Sequence, residues 1–136
     1  MAYITKSNTD SWSTPTTLKD SLHEEFNFDS FDPCPLNDNP LINGLTIEWS
    51  NCCFVNPPYS RLKTTKKQGI GWVEKAHNES KKGKIIVMLI PSRTDTQWFH
   101  DIILKNNHEV RFLKGRLKFG DAKTSAPFPS MIVIFR

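Results

Sequence analysis

The chain has 136 residues, a formal net charge of +4, 38% apolar side chains and 24% charged ones. That suffices for one domain with its own core, and the six-residue apolar run Ile85 to Ile90 falls far short of the roughly 20 residues that span a bilayer. Three cysteines, two of them adjacent (Cys52, Cys53), offer neither a disulfide framework nor metal-ligand spacing, and the opening residues carry no secretion signal; a cytoplasmic chain without a metal is expected. The charge is polarised: residues 1–60 carry −6 and residues 61–136 carry +10, a distribution suited to a polyanionic partner.

Residues 1–11 are polar and are expected to form a flexible N-terminus, leaving a single domain over 12–136. Thr14 as N-cap with Pro15 at the first helical position starts a helix, and Leu18, Leu22 and Phe26 give it one apolar stripe. The stretch from Phe28 is a short strand candidate that Pro33 and Pro35 terminate, and Leu36 to Gly44 reads as loop. Cys52 to Val55 reads as a buried strand leading into Asn56-Pro57-Pro58-Tyr59, followed by a basic, flexible loop from Arg61 to Gly69. Trp72, Val73 and Ala76 form the inner face of a helix that Lys81-Lys82-Gly83 closes. Ile85 to Ile90, apolar throughout, suits a parallel strand covered on both faces. Thr94 to Gln97 offers a capping box for a helix carrying Trp98, Phe99, Ile102 and Ile103. Strands are expected at Val110 to Leu113, at Arg116 to Phe119 after a turn at Lys114-Gly115, and at Met131 to Phe135.

Strands alternating with helices imply a parallel-cored α/β sheet, and the late strands, with no helix between them, an antiparallel edge. Doubly wound sheets bind ligands beyond the carboxyl ends of their strands. That rule puts Asp32, Asn56 to Tyr59, and Pro91-Ser92-Arg93 on one rim.

Asn56-Pro57-Pro58-Tyr59 after an apolar strand is the strongest chemical signal in the chain. The exocyclic amino group of adenine is a poor nucleophile, because its lone pair is delocalised into the ring. Two acceptors aimed at its hydrogens concentrate that lone pair on nitrogen. The Asn56 side-chain carbonyl and the Pro57 backbone carbonyl supply such a pair, and two prolines fix them in advance of the substrate. Tyr59 is expected to stack on the base, which must first leave its helix.

Asn-Pro-Pro-Tyr is the catalytic motif of S-adenosylmethionine-dependent amino methyltransferases, and the chain from about Trp12 to Phe135 resembles the phage-type DNA N6-adenine methyltransferases (Dam-like). The resemblance rests on Trp12-Ser-Thr-Pro15, Phe31-Asp-Pro-Cys-Pro35, Asn43-Gly-Leu45 with Trp49, and Phe54-Val-Asn-Pro-Pro-Tyr-Ser60. It continues through Ile90-Pro-Ser-Arg-Thr-Asp-Thr96 with Trp98-Phe-His100, Val110-Arg-Phe-Leu113 with Gly115-Arg-Leu-Lys-Phe119, and Ala126-Pro-Phe-Pro-Ser130.

The resemblance implies methyl transfer from S-adenosylmethionine to adenine N6 in DNA, with Asn56, Pro57, Pro58 and Tyr59 as the catalytic turn. It implies that Thr14-Pro15 closes over the cofactor, that Asp32-Pro33 forms the first cofactor-binding turn with Asp32 accepting from the methionine ammonium, and that Trp12 covers the adenosine or the target base. It also implies a phage or prophage origin and a bacterial cytoplasm. The turn Pro33 to Asp38 lacks the glycines of the general methyltransferase fold, and only 23 residues separate Asp32 from Asn56. A truncated doubly wound (Rossmann-like) methyltransferase sheet with an antiparallel C-terminal edge is therefore expected, with Asp38 and Glu48 as candidates to grip the ribose.

Arg61, Lys63, Lys66 and Lys67 follow the catalytic turn and suit DNA phosphates, as do Arg93 on the rim and Arg116, which alternates with Lys114 and Lys118. Other readings share these residues: an amino methyltransferase acting on RNA or on a protein glutamine, and a non-catalytic DNA-binding protein on a decayed methyltransferase scaffold. A metal-dependent nuclease built on Asp32 and Glu48 lacks the usual lysine spacing.

Overall fold

The computed structural model describes residues 12–35, 43–119 and 125–136. The expected flexible segment 1–11, Asp38 and most of the loop from Leu36 to Gly44 lie outside them. Helix α1 (Thr16–Phe26) precedes strand β1 (Cys52–Val55), helix α2 (Trp72–Ser80), strand β2 (Ile85–Pro91), a π-helix (Phe99–Leu104), strand β3 (Glu109–Phe112) and strand β4 (Ser130–Phe135). The strands form one mixed sheet in the order β1-β2-β4-β3.

β1 and β2 run parallel, with Cys52 opposite Ile85 and Val55 opposite Met88. Their crossover carries α2, whose Trp72, Val73 and Ala76 are buried as expected. β4 lies antiparallel to β2, with Val133 opposite Met88, and β3 antiparallel to β4, with Val110 opposite Val133. The expected antiparallel C-terminal edge is present. Every β4 residue and every β2 residue after Ile85 is buried, so these two central strands are the core. No described helix is long and apolar enough to cross a membrane.

Glu79 on the inner side of α2 is 1% exposed and organises the approach to β1. Its carboxylate accepts from the Trp49 backbone N–H (2.8 Å), Lys84 Nζ (2.7 Å), Lys82 Nζ (2.9 Å) and Lys75 Nζ (3.2 Å). Burial pushes its pKa up, but the bonds from Lys84, Lys82, Trp49 and Lys75 outweigh it and hold it at about 2. A buried carboxylate is tolerated only when its lone pairs are filled in this way.

Several local expectations are corrected. α1 begins at Thr16 with Pro15 at its N-cap and no side-chain cap, because the Thr14 hydroxyl is taken by a tertiary partner. The stretch from Phe28 forms no strand: it touches β1 through the Asp29 N–H to Cys52 carbonyl bond (2.9 Å), and Pro33 and Pro35 have no N–H with which to extend a ladder. Arg116 to Phe119 is also not a strand, although Leu117 and Phe119 still turn inward while Lys114, Arg116 and Lys118 stay exposed. At the next helix the cap is Thr96, not Thr94: its Oγ1 accepts from the Phe99 N–H (3.3 Å). That helix winds with longer bonds, Lys105 N–H reaching the His100 carbonyl at 3.1 Å. The basic loop is an ordered turn, in which Thr65 and Gly69 exchange two backbone bonds (3.0 and 2.8 Å) and hold Lys66 and Lys67 at the tip.

Candidate active site

The sequence Asn56-Pro57-Pro58 leaves the carboxyl end of β1, where the prolines forbid continued pairing. Pro58 is extended (φ −66°, ψ 126°), and its carbonyl accepts from the Arg61 N–H (3.1 Å), closing a 3₁₀ turn over Tyr59–Arg61. Asn56 is half-buried and its carboxamide is oriented from both ends. Nδ2 donates to the Trp12 carbonyl and to Thr14 Oγ1 (2.9 Å), and Oδ1 accepts from the Tyr59 hydroxyl (2.9 Å). The Trp12 carbonyl can only accept, which fixes which end of the amide is nitrogen. Both Nδ2 hydrogens are thus spent, and Oδ1 keeps a lone pair for one more donor.

Asn56, Thr14, Trp12, Asp32, Phe54 and Lys19 line a common cavity of about 250 Å³. Asn56, the segment before α1 and the Asp32 turn therefore meet at this cavity although they are far apart in the chain, whereas Pro91-Ser92-Arg93, also expected on the rim, does not border it. Asp32 Oδ1 accepts from the Cys34 N–H (2.9 Å). Burial raises the Asp32 pKa, and the Cys34 N–H and the Lys19 charge oppose the rise. Lys19, Asp32 and Phe54 also border a second cavity, of about 590 Å³, against Phe28 and Phe31.

The turn that carries Asp32 is held from behind. Pro33 is buried, and a Cβ on Gly44 would sit 2.1 Å from its carbonyl oxygen and 2.6 Å from the Trp72 ring. Only glycine fits there, and the Gly44 carbonyl accepts from Trp49 Nε1 (2.6 Å).

Tyr59 is 5% exposed and does not border the cavity. Its ring meets Phe128 edge-on at 5.7 Å and Phe119 at 6.4 Å. Trp12 meets the same two rings, Phe119 at 5.2 Å and Phe128 at 5.4 Å. Phe119 and Phe128 come from two segments that the Ala126 N–H to Leu117 carbonyl bond (2.8 Å) ties together. Sequence reasoning gave neither phenylalanine a role; their signal was confined to the matching segments Gly115 to Phe119 and Ala126 to Ser130. It missed Lys19 altogether.

The remaining candidates lie elsewhere. Arg61 is half-buried, whereas Lys63, Lys66, Lys67, Arg93 and Arg116 are exposed, and none of the six borders the Asn56 cavity. Pro15 serves as the start of α1, its carbonyl accepting from the Lys19 N–H (3.1 Å). Glu48 is exposed and pairs with Lys82 (3.2 Å), outside both cavities.

The family model described as DNA N-6-adenine-methyltransferase (Dam) matches residues 2–136. No curated protein and no solved structure matches the chain.

Proposed function

This chain belongs to the DNA N-6-adenine-methyltransferase (Dam) family, and we propose that it transfers a methyl group from S-adenosylmethionine to the N6 amino group of adenine in DNA, on a truncated Rossmann-like methyltransferase sheet. The carrying observation is the Asn56 carboxamide, whose donors are both spent and whose oxygen is held beside a cavity that also contains Asp32. An amide so fixed can only accept, which is the polarity an amino group requires.

The residues present fit the proposed cofactor. Asp32 is half-buried with one oxygen committed to Cys34 and no partner for the other among the described residues, a suitable receptor for an ammonium group. Trp12, Thr14-Pro15 and the Asp32-Pro33 turn would hold it. S-adenosylmethionine supplies an electrophilic methyl group on a sulfonium. The protein's own contribution is at nitrogen: Asn56 Oδ1 and the Pro57 carbonyl accept the two N6 hydrogens and draw the lone pair out of conjugation. The Pro58 carbonyl is engaged with Arg61 and stays out of this pair. Trp12, on the cavity wall, offers its ring to the cofactor's adenosine or to the base, while Tyr59 keeps the Asn56 oxygen in place. Asn56 Oδ1 is held before substrate arrives, and the two prolines stiffen the backbone that carries the Pro57 carbonyl, so little reorganisation accompanies the reaction.

The charges support DNA as the substrate. Lys75, Lys82, Lys84, Arg111 and Arg136 are consumed by salt bridges, whereas Arg61, Lys63, Lys66, Lys67, Arg93 and Arg116 join none among the described residues. Lys19, Lys81, Lys105, Lys114 and Lys118 join none either, and of these eleven the six are assigned to phosphates, with a bacterial cytoplasm as the compartment where such a substrate is met.

The test is incorporation of tritiated methyl from S-adenosylmethionine into duplex DNA and into RNA, with digestion to nucleosides, for wild type and Asn56→Ala. Label is expected in N6-methyldeoxyadenosine, falling by about two to three orders of magnitude in the variant while its fold persists. Label in RNA alone, or equal counts from both proteins, overturns the assignment.

A further inference from the structure

Lys19 has no place in the mechanism above, yet it borders both cavities. Among the described residues, Asp32 and Phe54 share that position, so these three residues stand where the two spaces adjoin. The cavity at Asn56, about 250 Å³, lies below the roughly 300–1,000 Å³ of ordinary ligand sites, and the adjoining space of about 590 Å³ lies within that range.

Two opposite charges face this junction without meeting. Lys19 and Asp32 are close enough for the lysine to oppose the rise of the carboxyl pKa, yet they form no salt bridge. Lys19 Nζ lies 5.8 Å over the centre of the Phe54 ring, and Asp32 Oδ1 accepts from the Cys34 N–H. In contrast, Lys75, Lys82 and Lys84 all close on Glu79. A cation and an anion kept separate across a cavity wall match a ligand that carries both charges on adjacent atoms. An α-amino acid zwitterion has that form.

We propose that Lys19 and Asp32 together form the receptor for the amino-acid end of the methyl donor, with Lys19 taking the α-carboxylate and Asp32 the α-ammonium. The inference rests on the reading that S-adenosylmethionine binds this site, and it makes Lys19 a residue that selects for an intact amino-acid terminus.

The experiment is calorimetric titration of wild type, Lys19→Met and Lys19→Arg with S-adenosylmethionine and with its decarboxylated analogue, without DNA. Wild type is expected to prefer the intact donor. Lys19→Met should lose about ten- to a hundredfold in affinity for the intact donor and nothing for the analogue, and Lys19→Arg should retain most of the preference. A purely structural lysine, stabilising α1 through Phe54, would lower both affinities together, and that outcome overturns the proposal. So does an unchanged Lys19→Met. If Lys19→Met does not fold, Lys19→Gln takes its place in the same titrations, with the same two outcomes. A wild type that binds neither ligand overturns the methyl-donor reading itself.

Discussion

Asn56 is useful because of what has been removed from it. A free carboxamide can donate or accept, and it can rotate to suit either. Here the Trp12 carbonyl and Thr14 hydroxyl take its donors and the Tyr59 hydroxyl fixes its acceptor end. Burial pushes the Tyr59 phenol well above its usual range, so it stays protonated and keeps donating. Tyr59→Phe deletes that one bond and leaves the ring against Phe119 and Phe128. The expected result is a drop of about three- to tenfold in kcat for methyl transfer, the cost of one neutral hydrogen bond, with donor affinity unchanged. Steady-state kinetics with calorimetry on the same preparation separates the two quantities. An undiminished kcat would mean that Asn56 needs no such tether. At this scale the motif displayed Asn56 and Asp32 openly, but it hid the division of labour. Thr14 has the chemistry of a helix cap and of an amide partner alike, and only the fold brings Asn56 to it.

Elements matter here chiefly as buttresses. The Asp32-Pro33 turn is not part of any strand, yet the Pro33 carbonyl and the Trp72 ring of α2 both close on Gly44, which leaves the turn no room to shift there. Gly44→Ala forces a methyl group into backbone and ring together. A loss of about 2 kcal/mol in stability is expected, typical of overpacking, together with weaker donor binding as the Asp32 turn moves. Urea denaturation and donor titration check the two effects, and a variant unchanged in both would show that the turn yields at no cost. Among the elements that sequence reading recovered, β1, α2, β2 and β4 have residues that agree locally with their burial: Ile85 to Ile90 and Met131 to Phe135 are apolar throughout and sit at the centre of the sheet. Where reading failed, at Phe28 onward and at Arg116 to Phe119, local propensity favoured a strand but no partner ladder was available. Leu117 and Phe119 keep the alternation of a strand because side-chain burial demands it, without the backbone pairing. The parallel character was overread for a similar reason. β2 is covered on both faces whether its neighbour runs parallel, as β1 does, or antiparallel, as β4 does, and a continuous apolar run cannot distinguish them.

The molecule as a whole joins an acidic N-terminal half to a basic C-terminal one through a few bonds. Arg111 of β3 grips Glu25 of α1 with both guanidinium nitrogens (2.7 Å each), and Lys82 reaches Glu48. Deeper in, His77 of α2 meets His108, which follows the π-helix, at 2.8 Å, and His108 lies against Phe135 of β4 at 4.7 Å between ring centres. Three elements therefore close on a histidine pair that must share a single proton. His108 Nδ1 is buried without a partner, so the favourable tautomer carries the hydrogen on Nε2 and donates it to His77 Nδ1, leaving an unpaired lone pair and not an unpaired donor. Burial, and then repulsion from His77, lowers the His108 pKa to about 4, while burial and the Lys81 charge lower that of His77. In the unfolded chain both imidazoles titrate near 6.5. Between pH about 6.5 and 4 the unfolded chain therefore binds protons that the folded one refuses. Stability from this pair is complete above about pH 6.5 and drains away as the pH falls through that window. The loss attributable to His108 is about 2 kcal/mol, discounted for its partial exposure. Glu79, held at about 2, is lost only further down, as the pH falls from about 4.5, so the histidine phase comes first. Urea midpoints between pH 7.5 and 4.5 should fall steeply for wild type and much less for His108→Gln, which cannot titrate. Parallel curves for the two proteins would mean that acid sensitivity arises outside this pair.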